Sequence, residues 1–182
     1  MIDPDHLEME DELRQYEEEP KAPKILGSET LLEPLSKLKP RTPEPICVEP
    51  TDRVADAADL MAQHHVGCVL VVRDGKIAGI CSERDIIQRV LRIGVDPSDV
   101  LIEDVMTSEP ECLQLNDTVA FALHLMHIGG YRHIPLVNEE HEPVGIISVK
   151  DIVEHIVDHF PDEVYNLPPR PLRRGPGSRE GA

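Results

Sequence analysis

The sequence predicts an α/β protein built from two copies of one β-α-β-β-α unit, packed sheet against sheet, with a disordered segment at each end. An eight-residue segment that begins at Gly79 recurs at Gly145, with five of the eight positions identical. Upstream pairs of identical residues lie 65 positions apart: Cys47 and Cys112, Asp52 and Asp117, Val54 and Val119, and Met61 and Met126. The spacing becomes 66 after the turn at 138–141, which is one residue longer than the turn at 73–75. A repeat with its insertion in a turn indicates a duplicated fold unit.

Each predicted unit opens with a short strand, near Cys47 in the first copy and near Cys112 in the second. Asp52 and Asp117 follow as candidate helix caps. Apolar residues then recur at helical spacing: Val54, Ala57, Ala58 and Met61 in the first copy, and Val119, Ala122, Leu123 and Met126 in the second. An amphipathic helix is therefore the second element of each unit.

Two strands and a closing helix complete each unit. The strands at 68–72 and 133–137 are apolar at successive positions, which predicts that both faces of each sheet are covered. Shorter strands follow at 77–81 and 144–147. The closing helices carry these apolar residues: Ile86, Ile87, Val90 and Leu91, or Ile152, Val153, Ile156 and Val157. One unit alone buries too little surface to be stable, so we expect the two sheets to face each other.

The chain divides by composition into four segments. Residues 1–38 are predicted to be an acidic, largely disordered arm, because the first 24 residues hold nine Asp and Glu residues and little to bury. Residues 39–98 and 99–162 are the two units. Residues 163–182 are rich in Pro, Arg and Gly and are predicted to be a disordered tail.

The net charge of −17 argues against a protein that binds nucleic acid or an anionic membrane through long-range attraction. No apolar run is long enough to span a bilayer, and the acidic N-terminus is unlike a secretory signal. The four cysteines form no Cys-x-x-Cys motif and lie in apolar runs, which favours buried free thiols in a reducing cytoplasm.

Neither a metal site nor an enzyme is predicted. His124 and His127 lie at i, i+3, and His155 and His159 at i, i+4, so either pair could offer two imidazoles from one helix face. The spacing supplies no third ligand, and exposed or dimer-facing histidines are the expectation. The sequence also contains no nucleophile elbow, Ser/His/Asp series or P-loop.

The pattern Gly-hydrophobic-x-Ser-x-x-Asp, present twice after a predicted hairpin, resembles that of tandem cystathionine-β-synthase (CBS) domain pairs. The resemblance covers roughly residues 40 to 160, and the linker from Gly94 to Thr107 is similar to that of stand-alone bacterial and archaeal pairs. It implies a body with pseudo-twofold symmetry, a midline cleft and dimerisation into a disc. It also implies an adenosine nucleotide as ligand (AMP, ADP or ATP), no required cofactor and an unidentified regulated protein.

The doubled Ser-x-x-Asp has two interpretations. Ser82 and Ser148 lie where a strand gives way to a helix, with Asp85 and Asp151 three residues later, which is a capping-box pattern. The resemblance implies instead that each Asp accepts the ribose hydroxyls and that each Ser lies beside the phosphate. The sequence alone leaves both interpretations open.

The resemblance also implies that each site takes its Asp from one repeat and its phosphate contacts from the other. Its main site would comprise Ser82, Asp85, Tyr131, Arg132, His133 and Lys150, with Tyr131 against adenine and the cations around phosphate. A weaker second site would comprise Gly67, Cys68, Arg84, Ser148 and Asp151, with a single cation and no aromatic residue.

The predicted function is a cytoplasmic, non-enzymatic regulatory module that binds an AMP- or ATP-like nucleotide between its repeats and signals occupancy to a partner. The alternative is a scaffolding homodimer whose Ser and Asp residues only cap helices. Thiol-based redox regulation is a third, weaker hypothesis.

Overall fold

The computed structural model describes residues 28–38 and 44–159. The predicted C-terminal tail and most of the predicted N-terminal arm lie outside these residues. Within the described ranges, no helix is both long enough and apolar enough to cross a membrane.

The first repeat has the predicted element order. Its elements are β1 (Cys47–Val48), α2 (Val54–His64), β2 (Cys68–Arg73), β3 (Lys76–Ser82) and α3 (Glu83–Arg89), preceded in the chain by a short helix α1 (Ser28–Leu32). Strand β1 runs parallel to β2, and β2 pairs antiparallel with β3. Two 3-10 turns and helix α4 (Ile102–Val105) then lead to β4 (Thr107–Ser108), which joins the free edge of β3.

The second repeat contains α5 (Val119–Gly129), β5 (His133–Val137), β6 (Pro143–Ser148) and α6 (Val149–His159). Its opening strand, predicted near Cys112, is reduced to one parallel bridge between Leu113 and Leu136. In the first repeat, the N–H of Leu70 donates to Ile46 at 2.9 Å. The equivalent of Leu70 is Pro135, which has no N–H to donate. The second repeat therefore lacks this hydrogen bond between its opening segment and its central strand.

The two repeats match in register. Cys68 pairs with Ser82 and His133 with Ser148, and each hairpin carries a register shift at the same place. The first residue of each closing helix also donates its N–H to the residue before the central strand, Glu83 to Gly67 at 3.1 Å and Val149 to Arg132 at 3.0 Å. The predicted duplication, with its pseudo-twofold relation, is confirmed.

Three clusters of buried side chains hold the structure together. One lies between the helices and sheet of the first repeat and includes Val54 and Val69, and a second occupies the same place in the second repeat. The third, built on Leu70, Ile77 and Val137, draws on both hairpins. The two sheets therefore face each other, as the apolar central strands predicted.

The N-terminal segment 28–38 is part of the second repeat's core, which differs from the sequence prediction of a disordered arm. Leu35 and Leu38 are only 2% and 5% exposed and belong to the cluster that contains Val119. Backbone hydrogen bonds attach the segment to the start of α5: Leu35 N–H to Asp117 at 2.8 Å, and Val119 N–H to Glu33 at 3.0 Å. Apolar burial and paired backbone groups outweigh the acidic composition here.

Asp52 and Asp117 do not cap the first helix of either repeat, so that prediction is wrong. The residue before α2 is Arg53, and Thr118 caps α5 by accepting from the N–H of Phe121 at 3.3 Å. The two aspartates instead accept from backbone N–H groups three residues earlier, at 2.8 and 2.7 Å. They stabilise the turns that precede the helices.

The cysteines differ in accessibility. Cys68 and Cys81 are buried on neighbouring strands, and burial raises the pKa of each thiol to about 12. Cys112 is half-buried, but Cys47 is exposed because it lies on the short edge strand β1. The prediction of buried thiols is thus confirmed for two cysteines and wrong for Cys47.

Candidate functional site

Two clefts lie between the repeats, one at each Ser-x-x-Asp motif. The Asp85 cleft, lined by Ser82 and Asp85 from the first repeat and Tyr131 from the second, has a volume of about 440 Å³. The Asp151 cleft, lined by Ser148 and Asp151 from the second repeat and residues 65–68 from the first, has a volume of about 480 Å³. Each cleft thus combines an Asp from one repeat with the strand start of the other.

Both motifs form the capping box. Asp85 Oδ2 accepts from the backbone N–H and the hydroxyl of Ser82, at 3.0 and 2.5 Å, while Ser82 Oγ accepts from the Asp85 N–H at 3.4 Å. The same three bonds join Ser148 and Asp151, at 2.7, 2.5 and 3.3 Å. The capping interpretation is therefore correct as structure, and the capping bonds fix each carboxylate in the lining of its cleft.

The two carboxylates differ in their next neighbour. Asp85 Oδ1 lies 3.6 Å from Arg89 Nη2, one helical turn along α3. Arg89 is fixed there because it also donates to the carbonyl oxygens of Val105 and Met106, at 2.6 and 2.8 Å. The equivalent position in α6 is His155, so the second repeat lacks this arginine.

The structure brings together most of the residues predicted for the two sites. Ser82, Asp85, Tyr131, Arg132 and His133 all line the Asp85 cleft, and Gly67, Cys68, Ser148 and Asp151 all line the Asp151 cleft.

Two predicted assignments are exchanged. Lys150 lines the Asp151 cleft and not the Asp85 cleft, and Arg84 lines the Asp85 cleft and not the Asp151 cleft. The reason is local: each cation immediately precedes the motif Asp in the first turn of the same helix, so it faces the cleft of its own repeat.

Arg132 and His133 line both clefts, which the sequence did not predict. His133 is the first residue of strand β5, and Arg132 immediately precedes it. Gly67 makes room for the imidazole, because a Cβ at that position would lie 3.3 Å from His133 Cε1. Burial and the neighbouring Arg132 lower the pKa of His133, while Asp151 and Glu83 act in the opposite direction.

The balance of charge differs between the clefts. Lys150 and Arg132 face two carboxylates in the Asp151 cleft, whose remaining walls are largely apolar. In the Asp85 cleft, two arginines face three carboxylates, because Glu109 and Glu111 from the linker line it as well. The sequence analysis missed both glutamates. The 65-residue spacing places Glu111 at the position that Ile46 occupies in the first repeat, so it could have shown that the two clefts differ in charge.

The family follows from a match to sequence models. The CBS domain model matches residues 38–92 and 102–158, which together are more than half of the chain. The chain belongs to the CBS-domain family. Both matched ranges contain one Ser-x-x-Asp capping box, so the clefts described above lie between two CBS repeats.

Relatives show how far the similarity extends. The CBS domain-containing protein CBSCBSPB1 of Arabidopsis thaliana is 34% identical over 115 residues, which are 63% of this chain but only 21% of that protein. An uncharacterised conserved protein from Pyrococcus horikoshii is similar in structure, with a TM-score of 0.61 and 29% identity over 68% of this chain and 92% of that one. The chain therefore matches about a fifth of that curated relative and nearly all of the archaeal protein.

Adenosine ligands occur in solved structures with the same fold. One is CBSX2 in complex with AMP, with a TM-score of 0.59 and 20% identity over 70% of this chain and 98% of that one. Another is the CBS pair of MJ0100 in complex with 5′-methylthioadenosine and S-adenosyl-L-methionine, with a TM-score of 0.62 and 19% identity over 70% of this chain and 98% of that one. At these identities the likeness establishes the fold.

Proposed function

We propose that this CBS pair is a non-enzymatic regulatory module that binds an adenosine nucleotide, AMP or ATP, in the Asp151 cleft. The observation that carries the proposal is the convergence of Lys150 and Arg132 on a cleft whose carboxylate, Asp151, is held in place by Ser148. A cytoplasmic homodimer that passes occupancy to a partner protein, with no required cofactor, is part of the same proposal.

The cleft offers a separate environment to each part of a nucleotide. The Asp151 carboxylate accepts hydrogen bonds from the ribose hydroxyls, and Lys150 and Arg132 neutralise the phosphate. The N-terminus of α6, an 11-residue helix, adds the positive end of its dipole to the phosphate site. Ile46 and Val66 supply apolar contacts for the adenine.

This proposal reverses the ranking of the two clefts made from sequence, because that ranking placed Lys150 beside Asp85. In the structure, Lys150 lies with Asp151, and Glu109 and Glu111 line the Asp85 cleft opposite its two arginines. Its carboxylate also lies beside Arg89. The Asp85 cleft is better suited to an adenosyl group without phosphate, packed on Tyr131.

Signalling follows from the position of the clefts between the repeats. A ligand that contacts both repeats favours the arrangement that binds it better, by no more than its difference in affinity for the two arrangements. The adenosine ligands of CBSX2 and MJ0100 support the ligand class. The scaffolding alternative is supported by the capping boxes, which give Ser and Asp a structural role without any ligand.

Calorimetric titration with AMP, ADP, ATP and S-adenosylmethionine tests the proposal. We expect Asp151→Asn and Lys150→Gln to weaken AMP binding at least about tenfold, as expected for the loss of a charge-assisted hydrogen bond. Asp85→Asn and Lys76→Gln, which replaces an exposed lysine on β3, are the matched controls and should bind like the parent. If only Asp85→Asn lost AMP binding, the nucleotide site would be the Asp85 cleft. If no ligand bound at all, the scaffolding homodimer would be the better hypothesis.

A further inference from the structure

Glu33, His155 and His159 converge on one side of α6, and none of the three lines either of the two clefts. Glu33 Oε2 lies 3.0 Å from His155 Nε2, and Glu33 Oε1 lies 3.9 Å from His159 Nε2. One ligating atom from each residue lies within 4.8 Å of the other two. Sequence spacing provided the two histidines, and the third residue comes from the N-terminal segment that packs on the second repeat.

His155 is the most informative member of this cluster. Its side chain is only 10% exposed, and its Nε2 atom is buried without a hydrogen-bond partner among the described residues. The approach to Glu33 is close enough for an ion pair but lacks the direction of a hydrogen bond. Buried polar atoms are nearly always satisfied in folded proteins, so this nitrogen, 3.0 Å from a carboxylate oxygen to which it makes no hydrogen bond, is a candidate metal ligand.

His159 is oriented as a ligand would be. Its Nδ1 lies 2.8 Å from the backbone carbonyl oxygen of His155, and because a carbonyl can only accept, Nδ1 carries the proton of this bond. The lone pair of the neutral ring is then on Nε2, which faces Glu33. A backbone carbonyl that fixes the tautomer in this way is the usual outer-shell partner of a metal-bound histidine.

We propose that Glu33, His155 and His159 form a zinc-binding site, with a water molecule as the fourth ligand. Tetrahedral zinc with nitrogen and oxygen ligands at about 2.0–2.2 Å places those ligand atoms roughly 3.4 Å apart. The two separations of 3.0 and 3.9 Å in the structure lie on either side of this value. Two imidazoles at i, i+4 on one helix, with a carboxylate from elsewhere in the chain, form a donor set that suits zinc.

The surroundings favour a cation. A neighbouring surface cleft of about 330 Å³ is lined by His155 itself, by the carboxylates of Asp151, Glu154 and Asp158, and by Lys37. Three acidic groups against one lysine attract a divalent ion to the open side of the site. The first CBS repeat has Arg89 and Ile93 at the positions of the two histidines, so the site belongs to the second repeat alone.

A bound ion would join the N-terminal segment to the last helix. Glu33 is already positioned by its backbone carbonyl, which accepts from Val119 N–H at 3.0 Å, and by the buried Leu35 two residues later. Because the site exists only when this segment is folded against α6, zinc stabilises the folded chain by mass action.

Titration of Zn²⁺ into the untagged, chelator-treated full chain tests the site, with Co²⁺ as a spectroscopic probe of tetrahedral coordination. We expect one saturable equivalent, and at least about tenfold weaker binding in Glu33→Gln and His159→Gln, a loss that even outer-shell changes cause. The double variant His124→Gln, His127→Gln removes two exposed histidines of α5 and should bind like the parent.

Metal-free thermal unfolding of each variant shows that its fold is intact. The proposal is overturned if the parent binds no zinc saturably, or if both Glu33→Gln and His159→Gln bind like the parent. Loss of binding in the α5 double variant alone would also overturn it, since the ion would then be held elsewhere.

Discussion

The Oδ2 atom of Asp151 accepts hydrogen bonds from both the backbone N–H and the hydroxyl of Ser148, at 2.7 and 2.5 Å. Asp151 as a whole is only 6% exposed, and the two bonds fix the orientation of its carboxylate before any ligand arrives. Helix capping and ligand binding are therefore compatible roles for one residue, because the cap prepares the carboxylate that a ribose would meet.

Replacing either motif serine should weaken folding. Ser148→Ala and Ser82→Ala each remove a cap hydroxyl, so each should lower the free energy of unfolding by about 1 kcal/mol. Urea denaturation measures the change. Ser98→Ala, at an exposed serine in the linker between the repeats, is the control and should stay within about 0.5 kcal/mol of the parent. Equal stability of all three variants would show that the capping boxes contribute nothing.

The N-terminal segment should be required for full stability. Leu35→Ala and Leu38→Ala remove side chains from the core of the second repeat, and each should cost about 2–4 kcal/mol. Leu32→Ala, in the same segment but 63% exposed, should cost less than about 0.5 kcal/mol. Denaturation of these three full-length variants measures the changes in the free energy of unfolding. Small changes for Leu35→Ala and Leu38→Ala would contradict the packing of this segment and support the prediction of a disordered arm.

His133 should make stability depend on pH. Its pKa is lowered in the folded chain by burial and by Arg132, so as the pH falls below about 6.5 the unfolded chain binds the proton first. The contribution to stability is present above that pH and is lost as the pH falls through the lowered folded value. Between about pH 8 and about pH 5, His133→Gln should therefore lose less stability than the parent. Parallel stability curves for the two proteins would contradict this.

Thiol reactivity should follow burial. The pKa of about 12 leaves almost no thiolate at Cys68 or Cys81, whereas Cys47 is exposed. Burial of part of the side chain also raises the pKa of the Cys47 thiol, but a disulfide reagent can reach it in the native chain. The reagent should therefore modify Cys47 faster than Cys68 and Cys81, which should react only after denaturant is added. Cys47→Ser should remove the fast phase. Rapid native labelling of Cys68 or Cys81 would instead revive the redox hypothesis.

The sequence was sufficient to predict the parts of the fold that repeat. The doubled motif and the apolar central strands predicted the hairpins, the closing helices and the facing sheets, because each feature depends on local periodicity. The shortened opening strand of the second repeat could have been predicted too, since Pro135 stands in the sequence where a donor is needed.

The remaining differences arise from contacts between distant segments. Four leucines, Leu31, Leu32, Leu35 and Leu38, lie in the described part of the acidic arm, but only the fold shows that two of them are buried in the second core and that Leu31 packs against it. The exchange of Lys150 and Arg84 between clefts depended on which way a helix start faces. Glu33 joins two histidines more than 120 positions away, which spacing alone does not reveal.

Arg132 and His133 line both clefts, so one pair of basic residues serves two candidate sites. A phosphate in the Asp151 cleft would engage Arg132, one of the two arginines that line the Asp85 cleft, and its charge would repel a second phosphate there. Nucleotide binding within one chain is therefore expected to be negatively cooperative. Although the chain contains two repeats and two clefts, each chain should bind only one phosphorylated ligand.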